Sequence, residues 1–143
     1  MIDKNKKFWT GDRVEDIDEY LREYSEHENI EVKPVICHEC NGDTFTIKVD
    51  QDEGAIEIKC EKCKSKKLLL DSEEIWDECN PKKGKCPVCK NQKYNLRVGF
   101  VRRENGDIKH VFIGNRCTKC ETLGSYVDWH INYGPTDEIE KNI

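Results

Sequence analysis

Residues 37–63 read CHECNGDTFTIKVDQDEGAIEIKCEKC, and residues 86–120 read CPVCKNQKYNLRVGFVRRENGDIKHVFIGNRCTKC. Each stretch opens and closes on a Cys-x-x-Cys pair. Such a pair in a tight turn sets two thiolates at the separation that a tetrahedral zinc ion requires, and a second pair completes a four-sulfur shell. The 19 residues between Cys40 and Cys60 and the 27 between Cys89 and Cys117 are lengths that fit an intervening β-hairpin. Cys37, Cys40, Cys60 and Cys63 are therefore the expected ligands of one zinc ion. Cys86, Cys89, Cys117 and Cys120 are those of another, which makes two ions per chain.

The residues inside each stretch alternate as strands do. Thr44 to Val49 places Phe45, Ile47 and Val49 on one face, and Ala55 to Lys59 continues through Ile56 and Ile58, with Asp50 to Gly54 as the tip. Lys66 to Leu70 supplies a third strand, after which Asp71 with Glu74 is expected to cap a short helical turn holding Ile75 and Trp76. The second stretch repeats the plan with strands at Tyr94 to Val101, Ile108 to Ile113 and Tyr126 to Ile131, and Asn105-Gly106 marks its hairpin turn. Asn41 and Gly42 suit the left-handed backbone that the first metal turn needs. The ninth cysteine, Cys79, reads as a small buried apolar residue.

Outside the cysteine stretches, residues 12–28 place Val14, Ile17, Leu21 and Tyr24 at steps of three and four, one apolar stripe on a charged helix, with Asp12 and Glu15 as a capping box. The expected organisation is a helical segment over 1–33, a metal module over 34–79, a linker over 80–85, a second module over 86–133, and a polar, fraying tail over 134–143. With 36% hydrophobic residues and a mean hydropathy of -0.86, an apolar core alone is a weak source of stability. Metal at such sites contributes about 10 kcal/mol or more of folding free energy. The opening residues MIDKNKKFWTGD lack the apolar run of a secretory leader, and no membrane-spanning run is present, so a cytoplasmic setting is expected. There, Cys-x-x-Cys pairs are metal sites rather than disulfides.

Over residues 35–131, the motifs CHEC with CEKC and CPVC with CTKC resemble the zinc ribbon superfamily. The resemblance implies a small, metal-stabilised, mainly β fold: two tandem four-cysteine zinc ribbons, each with two knuckles and a three-stranded antiparallel sheet, preceded by an amphipathic helix. Cross-braced RING and LIM arrangements also use eight ligands, and CPVC is similar to a rubredoxin knuckle, which leaves iron open at the second site. Zinc ribbons serve in transcription factors, polymerase subunits, ribosomal proteins and adaptors, so the fold alone does not select a function.

Three functions are compatible with these features. Shells closed by four cysteines leave no coordination position for substrate, and His27, His38, His110 and His130 show no ligand spacing. A non-catalytic adaptor with a protein partner is therefore the leading expectation. Charge raises the second: residues 34–79 carry 6 basic and 12 acidic side chains (net -6), whereas residues 80–143 carry 12 and 7 (net +5). Lys93, Arg97, Arg102, Arg103, Lys109 and Arg116 are the candidate nucleic-acid contacts of that second half. The third rests on Asp52 and Glu53 at the first hairpin tip, similar to the paired carboxylates of transcript-cleavage elongation factors that hold magnesium.

Overall fold

A computed structural model describes residues 1–27 and 29–143. In chain order the elements are β1 (Ile2–Asp3), β2 (Thr10–Gly11), α1 (Asp16–Ser25), β3 (Glu31–Pro34), β4 (Phe45–Asp50), β5 (Ala55–Cys60) and β6 (Lys66–Leu68). Short 3-10 turns at Ser72–Glu74 and Trp76–Glu78 follow, then β7 (Lys82–Lys83), β8 (Tyr94–Arg102), β9 (Ile108–Cys117), β10 (Leu123–His130) and α2 (Asp137–Lys141). The chain is mainly β, and β1 and β2 form a small ribbon of their own.

All the other strands belong to one antiparallel sheet of order β10-β9-β8-β4-β5-β6, with β3 also on β8 and β7 also on β4. The β4–β5 hairpin and the β8–β9 hairpin touch edge to edge at a single pair, Phe45 opposite Tyr94. Beyond that pair they diverge, and each edge finds its own partner. Lys82 and Lys83 run along β4, while residues 31–34 run along β8. The expected linker over 80–85 thus contributes a strand, because unpaired backbone groups on β4 require partners. Gly84 is held too, its N–H donating to the Ile47 carbonyl at 3.0 Å.

The two hairpins share one core. Phe45, Ile47 and Ile58 from the first pack in the same cluster as Tyr94, Val98 and Phe100 from the second, together with the buried cysteines Cys37, Cys60, Cys86 and Cys117. The tip of the β4–β5 hairpin also folds onto β10: a Cβ built on Gly54 would lie 2.6 Å from the Trp129 Cβ, and the Gln51 side-chain amide donates to the Tyr126 carbonyl at 2.6 Å. Pooling apolar residues in this way gives a chain of low hydropathy a core that neither half holds alone.

The other face of β8 and β9 carries α1. Ile17 and Leu21 pack with Ile30, Phe112 and Leu123, and the helix lies close because Gly99 and Gly114 leave room for it. The helix is shorter than residues 12–28, and Glu28 lies outside the described residues. The Asp12 and Glu15 capping box does not form, since Glu15 makes no side-chain cap bond and Asp12 instead binds the Met1 amine. Asp16, buried in the helix start, accepts from the Arg13 N–H at 3.1 Å and from that amine at 3.0 Å.

Two further expectations are corrected by tertiary contacts. Asp71 makes no side-chain cap bond; its carboxylate accepts from Trp129 Nε1 at 3.1 Å and from the Tyr133 hydroxyl at 2.6 Å, tying the 3-10 turn to β10 and the segment just after it. The segment 134–143 does not fray. Thr136 accepts from the Ile108 N–H at 2.8 Å, Ile139 is buried in the core, and the Asn142 carbonyl accepts from the Leu70 N–H at 2.8 Å.

A Cβ on Gly114 would lie 2.5 Å from Ile17 Cγ2 and 2.9 Å from Leu21 Cδ1. Gly114→Ala should therefore lose about 1–3 kcal/mol of stability in denaturant unfolding at fixed metal loading, whereas Lys109→Ala on the exposed part of β9 should change little. Equal stability in both variants would mean that the helix does not rest on this groove.

Candidate metal centres and charged clusters

Four turns with one backbone geometry bring the cysteines together. In each, the N–H four residues after the first cysteine donates to that cysteine's carbonyl: Asn41 to Cys37, Lys64 to Cys60, Lys90 to Cys86 and Glu121 to Cys117, at 2.8 to 3.0 Å. Those four residues all take the left-handed conformation, with φ between 62° and 68°. The expectation holds for Asn41 and extends to two lysines and a glutamate, whose side chains bear strain that the turn imposes. Gly42 matters for space instead, since a Cβ there would lie 3.2 Å from the Cys40 and Cys60 sulfurs.

Cys37, Cys40, Cys60 and Cys63 form one group and Cys86, Cys89, Cys117 and Cys120 another, with the sulfurs of each within 4.8 Å of one another. Separations of 3.5 Å hold between Cys37 and Cys63, Cys40 and Cys60, Cys86 and Cys120, and Cys89 and Cys117. A tetrahedral ion with sulfur bonds of about 2.3 Å needs sulfurs about 3.8 Å apart, so both groups can hold a metal ion. The grouping is sequential, pairs one and two then pairs three and four, which excludes a cross-braced assignment.

Donors around the sulfurs favour thiolates. Ser65 Oγ lies 3.2 Å from Cys63 Sγ and 3.4 Å from Cys37 Sγ, and its hydroxyl, with the Cys40 and Glu39 amides, brings the Cys37 thiol down to about 6 against the effect of burial. In the second group, Asn91 Nδ2 donates to Cys117 Sγ at 3.3 Å, and Thr122 Oγ1 lies 3.0 Å from Cys120 Sγ. Against the Gly42 amide, which lowers it, burial and three neighbouring sulfurs push Cys40 up to about 12. Four thiolates so close repel one another, and a divalent cation is the charge that relieves them. Ser65, Asn91 and Thr122 carry no metal-ligand signature in sequence and are recognisable only from their place around the sulfurs. Cys79 stands apart and half-buried, its thiol directed at the Ile75 carbonyl 3.3 Å away.

Most of the candidate nucleic-acid contacts are engaged within the chain. Lys93 Nζ meets Glu61 at 2.8 Å, and Arg116 spans Glu121 at 2.7 Å, Asn95 at 3.0 Å and the Gly11 carbonyl at 2.6 Å. Arg102 binds Glu31 at 2.8 Å and Glu140 at 2.6 Å, Arg103 donates to the Ile131 carbonyl at 2.6 Å, and Arg97 faces Asp18 beneath α1 at 3.6 Å. Lys109 alone of the six has no such partner among the described residues. Asp52 and Glu53 are exposed, with their N–H groups each donating to the buried Asp50 carboxylate at 3.0 Å.

Folding gathers histidines that no spacing linked. His110 and His130 meet edge to face with ring centroids 4.3 Å apart, and His110 Nε2 lies 2.8 Å from Asp128. His38 is elsewhere, 2.7 Å from the Ile143 carbonyl.

If these sulfurs hold the metals, native mass spectrometry should count two ions per chain and one after Cys60→Ser or Cys117→Ser, while Cys79→Ser should still carry two. Loss of an ion in the Cys79 variant would make that thiol a ligand. His110 supplies a pH test. Burial, opposed by Asp128, lowers its pKa below the usual 6.5, so neutral His110 favours the folded state above that value and the contribution is lost as pH falls below it. Stability should drop between pH 7.5 and 5.5 less steeply in His110→Gln than in the parent; identical slopes would contradict a buried neutral ring.

No described helix is long and apolar enough to cross a membrane. Compared with family models, with curated proteins and with solved structures, the chain finds no match, so the reading of these centres rests on their own geometry.

Proposed function

We propose that both cysteine groups are structural zinc sites of the zinc ribbon type and that the chain is a non-catalytic adaptor for a protein partner. The observation that carries this reading is closure. Four sulfurs within 4.8 Å in each group supply every position of a tetrahedral shell, leaving none for water or substrate. Zinc fits such a shell without redox chemistry, and iron at CPVC is the alternative that elemental analysis separates.

Two observations weigh against the competing readings. Five of the six second-half cations offered for nucleic acid are committed to internal partners, so freeing them would cost the contacts that join α1, α2 and β3 to the sheet. The Asp52 and Glu53 tip is tethered to β10 through Gln51 and Gly54 rather than projecting as an arm. A magnesium-carrying probe needs that freedom.

The test is affinity capture from the native cell with the metal-loaded chain, split between nuclease-treated and untreated lysate. A protein recovered in both arms and lost after chelation supports the adaptor. Recovery that vanishes with nuclease would overturn it.

A further inference from the structure

Five lysines from separate parts of the chain line one groove of about 250 Å³ on the outer face of the first hairpin. Lys48 comes from β4, Lys59 from β5, Lys64 from the turn at the first metal centre, Lys66 from β6 and Lys83 from β7. Four of the five belong to the segment whose tally is net -6, so the groove opposes its own sequence neighbourhood in sign. Strand alternation is the cause. With Ile47, Val49, Ile56 and Ile58 turned into the core, Lys48 and Lys59 must face outward.

Register then sets like charges against each other. Lys48 lies directly opposite Lys83, and Lys59 directly opposite Lys66. Such pairs destabilise a sheet, and none of these four ammonium groups has an ion-pair partner among the described residues. Glu57 sits across from Lys48, but Glu61 is already held by Lys93 at 2.8 Å and Lys64 at 3.5 Å. Five lysines against two carboxylates, Glu57 and Glu61, leave the groove with an excess of positive charge that is suited to an external anion.

We propose that this groove binds the phosphodiester backbone of a nucleic acid, without reading its bases, an activity that goes beyond the adaptor reading. The lysine rows cross four neighbouring strands, a span of about 14 Å at ordinary strand spacing, which is a track rather than a point site. The exposed lining is lysine, glutamate and threonine, while Ile47 and Cys60 are only 2% and 1% exposed. A protein partner would need an aromatic or aliphatic anchor pocket, and the groove offers none. It also offers no exposed ring to stack on bases, which leaves phosphate as the recognised group.

The experiment measures fluorescence anisotropy of a labelled 20-nucleotide thymidine oligomer, and of a mixed-sequence duplex, with the metal-loaded full chain between 50 and 200 mM salt. Contact with four phosphates of a single strand predicts a slope of log affinity against log salt of about -3. Changing Lys48, Lys59, Lys66 and Lys83 together to Gln should weaken binding about tenfold or more at 50 mM salt and bring the slope toward zero. The variant should keep two metals and melt no lower than the parent, because it relieves opposed like charges. Changing Lys6 and Lys7, exposed lysines outside the groove, to Gln should alter neither affinity nor slope. The proposal fails if the parent does not bind at 50 mM salt, if the groove variant binds like the parent, or if polyglutamate of equal charge displaces the oligomer as well as unlabelled oligomer does. The last result would assign the groove to an acidic protein.

Discussion

Eight thiols in two groups, each group packed within 4.8 Å, are the constraint on which the rest depends. As thiolates they repel, and a bound cation would turn that repulsion into a cross-link between distant turns. One cysteine of every Cys-x-x-Cys pair, namely Cys37, Cys60, Cys86 and Cys117, is also buried in the apolar cluster, so each centre is part of the core rather than an appendage to it. A metal ion bound by these sulfurs would hold the strand ends, where the strands between the knuckles present their apolar faces to one another.

Sharing the core between hairpins has consequences for charge. The single contact of β4 with β8 leaves two diverging edges, and filling them with β7 and β3 draws distant side chains across the junction. Glu61 reaches Lys93, and Glu31 with Glu140 reaches Arg102. Cations of the basic half are thereby matched both by carboxylates from the earlier segments, Glu31 and Glu61, and by their own Glu121 and Glu140, while lysines of the acidic half collect on one outward face. Net charge by segment is a poor guide to surface potential once strands from different segments lie side by side.

The parts of the fold legible in sequence are those set by local rules. Cysteine spacing, strand alternation at Phe45-Ile47-Val49, the Asn105-Gly106 turn and the apolar stripe Ile17-Leu21 all find their place, with Gly106 at φ 93°. Local readings failed where a distant partner competed for the same group. Asp12 and Asp71 are plausible helix caps until the Met1 amine, Trp129 and Tyr133 take their carboxylates. The tail has little apolar content to announce that Ile139 is buried.

By itself the sequence determined that this chain gathers eight cysteines through short turns, with amphipathic strands between them and one amphipathic helix before them, because those properties depend on residues a few positions apart. Only the tertiary structure decided that the two hairpins join in one sheet, that most of the basic half's arginines face inward to partners, and that Lys48, Lys59, Lys66 and Lys83 stand together. These outcomes depend on which backbone edge pairs with which and in what register, and a shift of one residue would turn every one of those lysines to the opposite face.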